Sequence, residues 1–69
     1  MKHNFPEKLK ELRSSKNIGQ VELAKSIKVS KGIISLWENG LREPSMSSLI
    51  AISRFFKVSI DDLVCAEQI

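Results

Sequence analysis

The chain of 69 residues has little cysteine and no long apolar run. Its single cysteine, Cys65, cannot form an internal disulfide, which fits a reducing cytoplasm. No apolar stretch approaches the roughly 20 residues that a membrane-spanning helix needs, so we expect no membrane partner. The N-terminal sequence MKHNFPEK lacks the apolar segment of a secretion signal. These absences predict a cytoplasmic protein.

The residues that catalysis or metal binding would require are also scarce. His3 is the only histidine, and no second metal ligand accompanies it. Asp61 and Asp62 are adjacent, so they point in different directions on a helix and make a poor catalytic pair. We find no glycine-rich nucleotide loop and no nucleophile with a matched base. The sequence therefore predicts neither an enzyme nor a bound cofactor or metal, and it indicates no small-molecule ligand.

Charge is distributed unevenly along the chain. Residues 1–57 hold all eleven Lys and Arg against five acidic residues, a balance of +6, whereas residues 58–69 hold three acids and no base, a balance of −3. A basic body with an acidic tail suggests a face that binds a polyanion and points away from the C-terminus. Charge alone does not separate this reading from the solvated surface of an ordinary helical protein.

Apolar residues recur at helical spacing along most of the chain, and no strand pattern is present. The spacing predicts an all-α fold in a single domain over 1–69, with five helices at about 6–16, 20–27, 31–39, 45–56 and 60–64. We expect Trp37 to be a core residue, since Ile34 shares its helix face. The fourth helix should face inward along a stripe formed by Met46, Leu49, Ile52, Ser53 and Phe56.

The second and third predicted helices are joined by a very short break. Residues 27–30 allow only a turn, Ser30 is a good N-cap for the helix that follows, and Asn39-Gly40 is a good stop. Two short amphipathic helices joined in this way form a helix-turn-helix. In that motif the second helix lies in the major groove of DNA.

An ordered set of residues across the chain, from about Phe5 to Val64, resembles the Cro/repressor-type (Xre-type) helix-turn-helix family. The resemblance implies a five-helix fold of the lambda-repressor type. The set is Gln20, Leu23-Ala24, Val29-Ser30, Ile34-Ser35, Trp37-Glu38-Asn39-Gly40, Pro44-Ser45, and Val58-Ser59 through Leu63.

The resemblance also implies roles for individual residues. Gln20 matches the position that hydrogen-bonds a DNA phosphate, and Arg13 with Glu38 matches a pair that ties the first helix to the third. Lys28 is expected to lie near the DNA backbone. Two further residues match positions that brace the sugar-phosphate backbone, namely Asn39 and Arg42. The outward positions of the recognition helix are Ser30, Lys31, Gly32, Ser35 and Leu36.

Several residues depart from the pattern of that family. Lys28 and Lys57 stand where glycine is usual, so either each costs on the order of 1 kcal/mol in a left-handed conformation or the turns take another shape. Gly32 removes a side chain from a base-reading position. Leu36 could contact a thymine methyl or simply pack on the periphery, and for Ile33 we favour packing. Lys31 could read guanine or neutralise a phosphate.

The function that the resemblance implies is sequence-specific binding to double-stranded DNA by a bacterial or phage transcriptional regulator. We expect a repressor that binds an inverted-repeat operator as a homodimer. Apolar residues near the C-terminus are the expected dimer surface: Ile60, Val64, Cys65 and Ile69. One alternative is an antitoxin that also binds a toxin protein. Another is a protein-interaction module that uses an apolar patch of Ile33, Leu36 and Leu41.

Overall fold

The computed structural model describes residues 4–64, which form five helices and no strand. The helices are α1 (Phe5–Lys16), α2 (Gln20–Ile27), α3 (Lys31–Glu38), α4 (Met46–Phe56) and α5 (Ile60–Leu63). The prediction of an all-α, five-helix fold is confirmed. Within residues 4–64 no helix combines the length and the apolar character needed to cross a membrane.

Three of the helices begin at a serine that caps the first turn. The hydroxyl of each serine accepts a hydrogen bond from the backbone N–H three residues later, at 3.0–3.2 Å. Such a bond satisfies one of the N–H groups that have no partner inside the helix. The capping residues are Ser30 of α3, Ser45 of α4 and Ser59 of α5.

Four helices are followed, within two residues of their last residue, by one in the left-handed conformation. The next N–H then bonds to a carbonyl five residues back, as from Val29 to Ala24 at 2.9 Å, which is the Schellman arrangement. From the sequence, Lys28 and Lys57 could be left-handed or their turns could take another shape. Both lysines are left-handed, at a cost of about 1 kcal/mol each. The four residues are Asn17 (φ 59°), Lys28 (φ 63°), Gly40 (φ 71°) and Lys57 (φ 59°).

All five helices contribute to one apolar core. Trp37 of α3 is 2% exposed and meets the ring of Phe5 of α1 edge to face, with ring centroids 6.0 Å apart. This contact and the burial of Ile34 hold α3 by one face only. The buried apolar residues among 4–64 are Phe5, Leu9, Leu23, Ala24, Ile34, Trp37, Ile52, Phe56 and Leu63.

The inward stripe of α4 is shorter than its periodicity predicts. Ile52 and Phe56 are buried and Leu49 and Ser53 half-buried, but Met46 is 64% exposed, so its assignment to the inward face is wrong. Met46 is the first residue of α4. Helical side chains lean toward the N-terminus, so a residue in the first position of a helix is directed beyond the end of that helix.

Candidate nucleic-acid interface

The recognition helix predicted from sequence has one buried and one solvent-facing side. Ile34 and Trp37 face the core, whereas Lys31 and Gly32 are exposed in the first turn, next to the exposed cap Ser30. Further along the helix, Ser35 is half-buried. The predicted base-reading residues are therefore accessible at the N-terminal half of α3, and access declines toward its C-terminal end.

Two half-buried apolar residues of α3, Ile33 and Leu36, differ in how they pack against the core. Ile33 is half-buried and packs against the core cluster, as expected for a peripheral packing residue. Leu36 is also half-buried, but it is absent from the set of apolar residues of 4–64 that pack against that cluster. Part of the apolar surface of Leu36 is therefore accessible to solvent.

Arg13 and Glu38 form a two-pronged ion pair between α1 and the last residue of α3. Arg13 Nε donates to Glu38 Oε2 at 2.6 Å, and Nη2 donates to Oε1 at 2.9 Å. A third guanidinium N–H, on Nη1, donates to the carbonyl of Ile18 at 2.9 Å. The two side chains are 18% and 4% exposed, so this pair is far better shielded than a surface ion pair.

The surroundings of this pair shift the ionisation of both groups. Burial alone would raise the pKa of Glu38, but hydrogen bonds from Arg13 and Gln20, with the positive charges of Arg13 and Lys10, hold that pKa below its usual range. The hydrogen bond to Glu38 raises the pKa of Arg13 further, although burial opposes it. Glu38 is therefore a carboxylate at neutral pH even though it is 5% exposed.

Gln20 contributes a contact that the sequence analysis missed. Its Nε2 donates to Glu38 Oε1 at 3.0 Å, so the first residue of α2 is bonded to the last residue of α3. The two residues lie on different helices, so the periodicity of a single helix does not relate them, and nothing in the residue types alone marks this pair. The carboxylate thus joins three helices through Arg13 and Gln20.

The N-terminus of α2 differs from those of α3, α4 and α5. Its N-cap, Gly19, has no side chain, and the structure records no side-chain cap there. The first N–H groups of a helix have no acceptor within the helix, and together they carry a partial positive charge. Gln20 and this uncapped turn therefore present hydrogen-bond donors on the same end of α2.

The remaining predicted backbone-contact residues are exposed and flank the ends of α2 and α3. Lys28 follows the last residue of α2, and Arg42 lies in the loop after Gly40. Asn39 is the C-cap of α3, and its Nδ2 donates to the hydroxyl of Ser35 at 3.4 Å.

The apolar residues expected to form a dimer surface are only partly available. Ile60 and Val64 are half-buried, and Val64 packs against the core. Cys65 and Ile69 lie outside the described residues, as does His3. Among 4–64 the large apolar side chains with the greatest exposure are elsewhere, namely Leu41 at 72% and Met46 at 64%.

Comparison with known sequences agrees with this arrangement. A family model described as helix-turn-helix matches residues 9–63. The chain is 48% identical over 65 residues to the HTH-type transcriptional activator BcrR of Enterococcus faecalis, an alignment that covers 94% of this chain and 32% of that protein. It is 30% identical over 60 residues to the cryptic phage CTXphi transcriptional repressor RstR of Vibrio cholerae, covering 87% and 54%. The chain thus spans about a third of the first relative and about half of the second.

Solved structures share the fold over nearly the whole chain. The P22 c2 repressor in complex with a synthetic operator superimposes with a TM-score of 0.85 at 32% identity, covering 91% of this chain and 96% of that one. A transcriptional regulator from Listeria innocua gives a TM-score of 0.90 at 26% identity, covering all of this chain and 64% of its own.

Proposed function

This chain belongs to the Cro/repressor-type helix-turn-helix family, and from that premise we propose that it binds a specific double-stranded DNA sequence and regulates transcription. The observation that carries the proposal is the division of α3 into a face locked in the core by Ile34 and Trp37 and a face open at Lys31 and Gly32. A helix held in this way can enter the major groove without disturbing the fold.

Base recognition in this proposal belongs to the exposed part of α3. Lys31 reads guanine O6 and N7, and Leu36 contacts a thymine methyl group. Gly32 lets the backbone of α3 approach the bases closely. Ser30 and Ser35 complete the reading surface.

Affinity in this proposal comes from contacts to the DNA backbone on either side of α3. Gln20 and the uncapped first turn of α2 bind one phosphate, since helix N-termini are favourable sites for anions. Lys28, Asn39 and Arg42 lie nearest the neighbouring backbone. Such contacts fix the register on the duplex without selecting its sequence.

One recognition helix reads only a few base pairs, so we propose a homodimer on an inverted repeat. The two half-sites would then lie about 34–36 Å apart, one turn of the double helix. With chromosomal DNA as its ligand, the protein acts in the cytoplasm.

Repression by blocking a promoter is the simplest regulatory outcome for a domain of this size. A second candidate, activation, is favoured by a specific observation, because the 48%-identical Enterococcus faecalis protein is an activator. A reporter gene placed under a promoter that contains the selected operator separates the two outcomes by the sign of the response.

Selection of bound duplexes from a random pool tests the DNA-binding proposal. We expect a palindrome whose half-sites are one helical turn apart, and binding that weakens steeply with salt. Lys31→Ala should change the preferred base, whereas Gln20→Ala should weaken all sequences similarly, by about 1 kcal/mol or more. Recovery of no common sequence, with salt-independent binding, would contradict the proposal and favour a protein-interaction module.

A further inference from the structure

We infer that Glu38 is a positioning residue for phosphate binding at α2: its carboxylate fixes the orientation of the Gln20 side-chain amide before DNA arrives. The inference rests on the proposed function, because it concerns the phosphate contact assigned there to Gln20. It adds a role for a residue that is itself almost fully buried and cannot touch the duplex.

The orientation follows from the hydrogen-bonding capacity of the two groups. An ionised carboxylate only accepts hydrogen bonds, so the side chain of Gln20 must turn its Nε2, and not its carbonyl oxygen, toward Glu38. Nε2 carries two hydrogens, and the bond of 3.0 Å to Glu38 Oε1 uses one of them. The second remains available to a phosphate oxygen on an amide that can no longer rotate freely.

Arg13 holds the carboxylate in turn. Its two bonds of 2.6 and 2.9 Å engage both oxygens of Glu38, so the carboxylate plane is fixed relative to α1. The guanidinium also balances a negative charge that would otherwise lie behind a phosphate-binding position, and Lys10 adds positive charge nearby. The network therefore supplies orientation without net repulsion of DNA.

A preorganised donor binds more tightly than a freely rotating one, because less conformational freedom is lost on binding. Glu38 should consequently influence DNA affinity through Gln20 and not through the base-reading residues. This separates a positioning role from a general contribution to folding, which would affect every DNA contact alike.

A double-mutant cycle on the full chain measures that influence. The loss of affinity caused by Gln20→Ala for the selected operator is determined in the parent and in Glu38→Gln. We expect about tenfold in the parent and less than about twofold in Glu38→Gln. The cycle cancels the uniform gain in affinity that follows from removing one negative charge.

Two controls make the result specific. Glu7→Gln removes the same charge from an exposed glutamate, whose side chain is 78% exposed, and should leave the Gln20→Ala loss at about tenfold. The loss caused by Lys31→Ala should be the same in the parent and in Glu38→Gln. An unchanged Gln20→Ala loss in Glu38→Gln overturns the inference, and so does a parallel fall in the Lys31→Ala loss. Absence of operator binding by the parent contradicts the proposed function itself.

NMR of the parent tests the same point if Glu38→Gln does not fold. The chain has one other glutamine, Gln68, so Gln20→Ala identifies the side-chain amide signals of Gln20. Slow hydrogen exchange and a proton pair shifted from the values of a solvated glutamine support a fixed amide. Values typical of a solvated glutamine overturn the inference.

Discussion

The chain uses the same four-residue connection, here called a joint, twice: residues 27–30 before α3 and residues 56–59 before α5. In both places an aliphatic or aromatic residue is followed by Lys-Val-Ser, the lysine is left-handed at φ 63° or 59°, and the serine caps the next helix. The helices that follow are different. α3 has eight residues and no acid in its first turn, whereas α5 has four residues and carries Asp61 and Asp62 in its first turn.

The first turns of the two helices differ in charge. Acidic residues in the first turn of α5 complement the positive end of its own dipole. α3 has Lys31 and Gly32 there instead, so no carboxylate of its own first turn lies at its positive end. The last residue of α3, Glu38, is in addition held by its ion pair with Arg13. The same connection therefore starts both helices, and the residues of the first turn that follows it distinguish α3 from α5.

Breaking the ion pair should produce the largest effect. Arg13→Met leaves the Glu38 carboxylate buried without its cation, and we expect a loss of about 3 kcal/mol in the free energy of unfolding. Urea denaturation followed by circular dichroism measures it. The control is Lys8→Met, which removes a partly exposed pair with Glu11 at 3.7 Å and should change stability by less than about 0.5 kcal/mol. Equal losses of stability in Arg13→Met and Lys8→Met would contradict a special role for the Arg13–Glu38 ion pair.

Acid should weaken the Arg13–Glu38 ion pair without any substitution. The pKa of Glu38 is lower in the folded than in the unfolded chain, so its contribution to stability is complete above the unfolded value of about 4.3. It is lost as the pH falls through the lower folded value. Stability curves of the parent and of Glu38→Gln should therefore converge in acid. A constant separation between pH 7 and acid would rule out this linkage.

The capping serines of the two joints, Ser30 and Ser59, should be equivalent for stability but not for binding. Ser30→Ala and Ser59→Ala each remove one cap bond, at 3.2 and 3.0 Å, and should cost about 1 kcal/mol. Ser30→Ala should in addition weaken binding to the selected operator, whereas Ser59→Ala should not. Thermal unfolding and mobility shifts under conditions where both variants are folded give the comparison. Equal losses in binding would remove the functional distinction between the two joints.

The smallest effect should come from relieving the left-handed lysines. Lys28→Gly and Lys57→Gly should each stabilise the fold by about 0.5 kcal/mol, because relief of strain is partly offset by the freedom of glycine in the unfolded chain. Thermal unfolding measures this gain. Lys28→Gly should also reduce affinity for DNA and the salt slope of binding, whereas Lys57→Gly should alter neither. A loss of affinity in both variants would indicate that the DNA backbone lies closer to α5 than we propose.

Much of the fold could be predicted because local chemistry determines it. Ser30, Ser45 and Ser59 are recognisable caps, and the spacing of Ile34 and Trp37 identifies the buried face of α3. The prediction for Met46 is wrong, because periodicity assigns a helix face but not how far the core extends along it.

The site could be predicted only in part. The pairing of Arg13 with Glu38 was implied by family resemblance, and the structure places the two side chains in contact. The bond from Gln20 to Glu38 depends on how α2 and α3 meet in three dimensions, which no local pattern encodes. Contacts of the outward residues of α3 with DNA remain predictions, since their partner is a separate molecule.

Gly32 has a consequence for how such a protein can diverge. A methyl group at this position would meet only the hydroxyl oxygen of Ser30, at 3.8 Å, an ordinary contact distance. A first side-chain carbon is therefore accommodated at residue 32, which is exposed, without displacing the core. If residue 32 faces the bases as we propose, substitutions there can change the preferred operator while the fold is retained, so related proteins can acquire new operators without loss of stability.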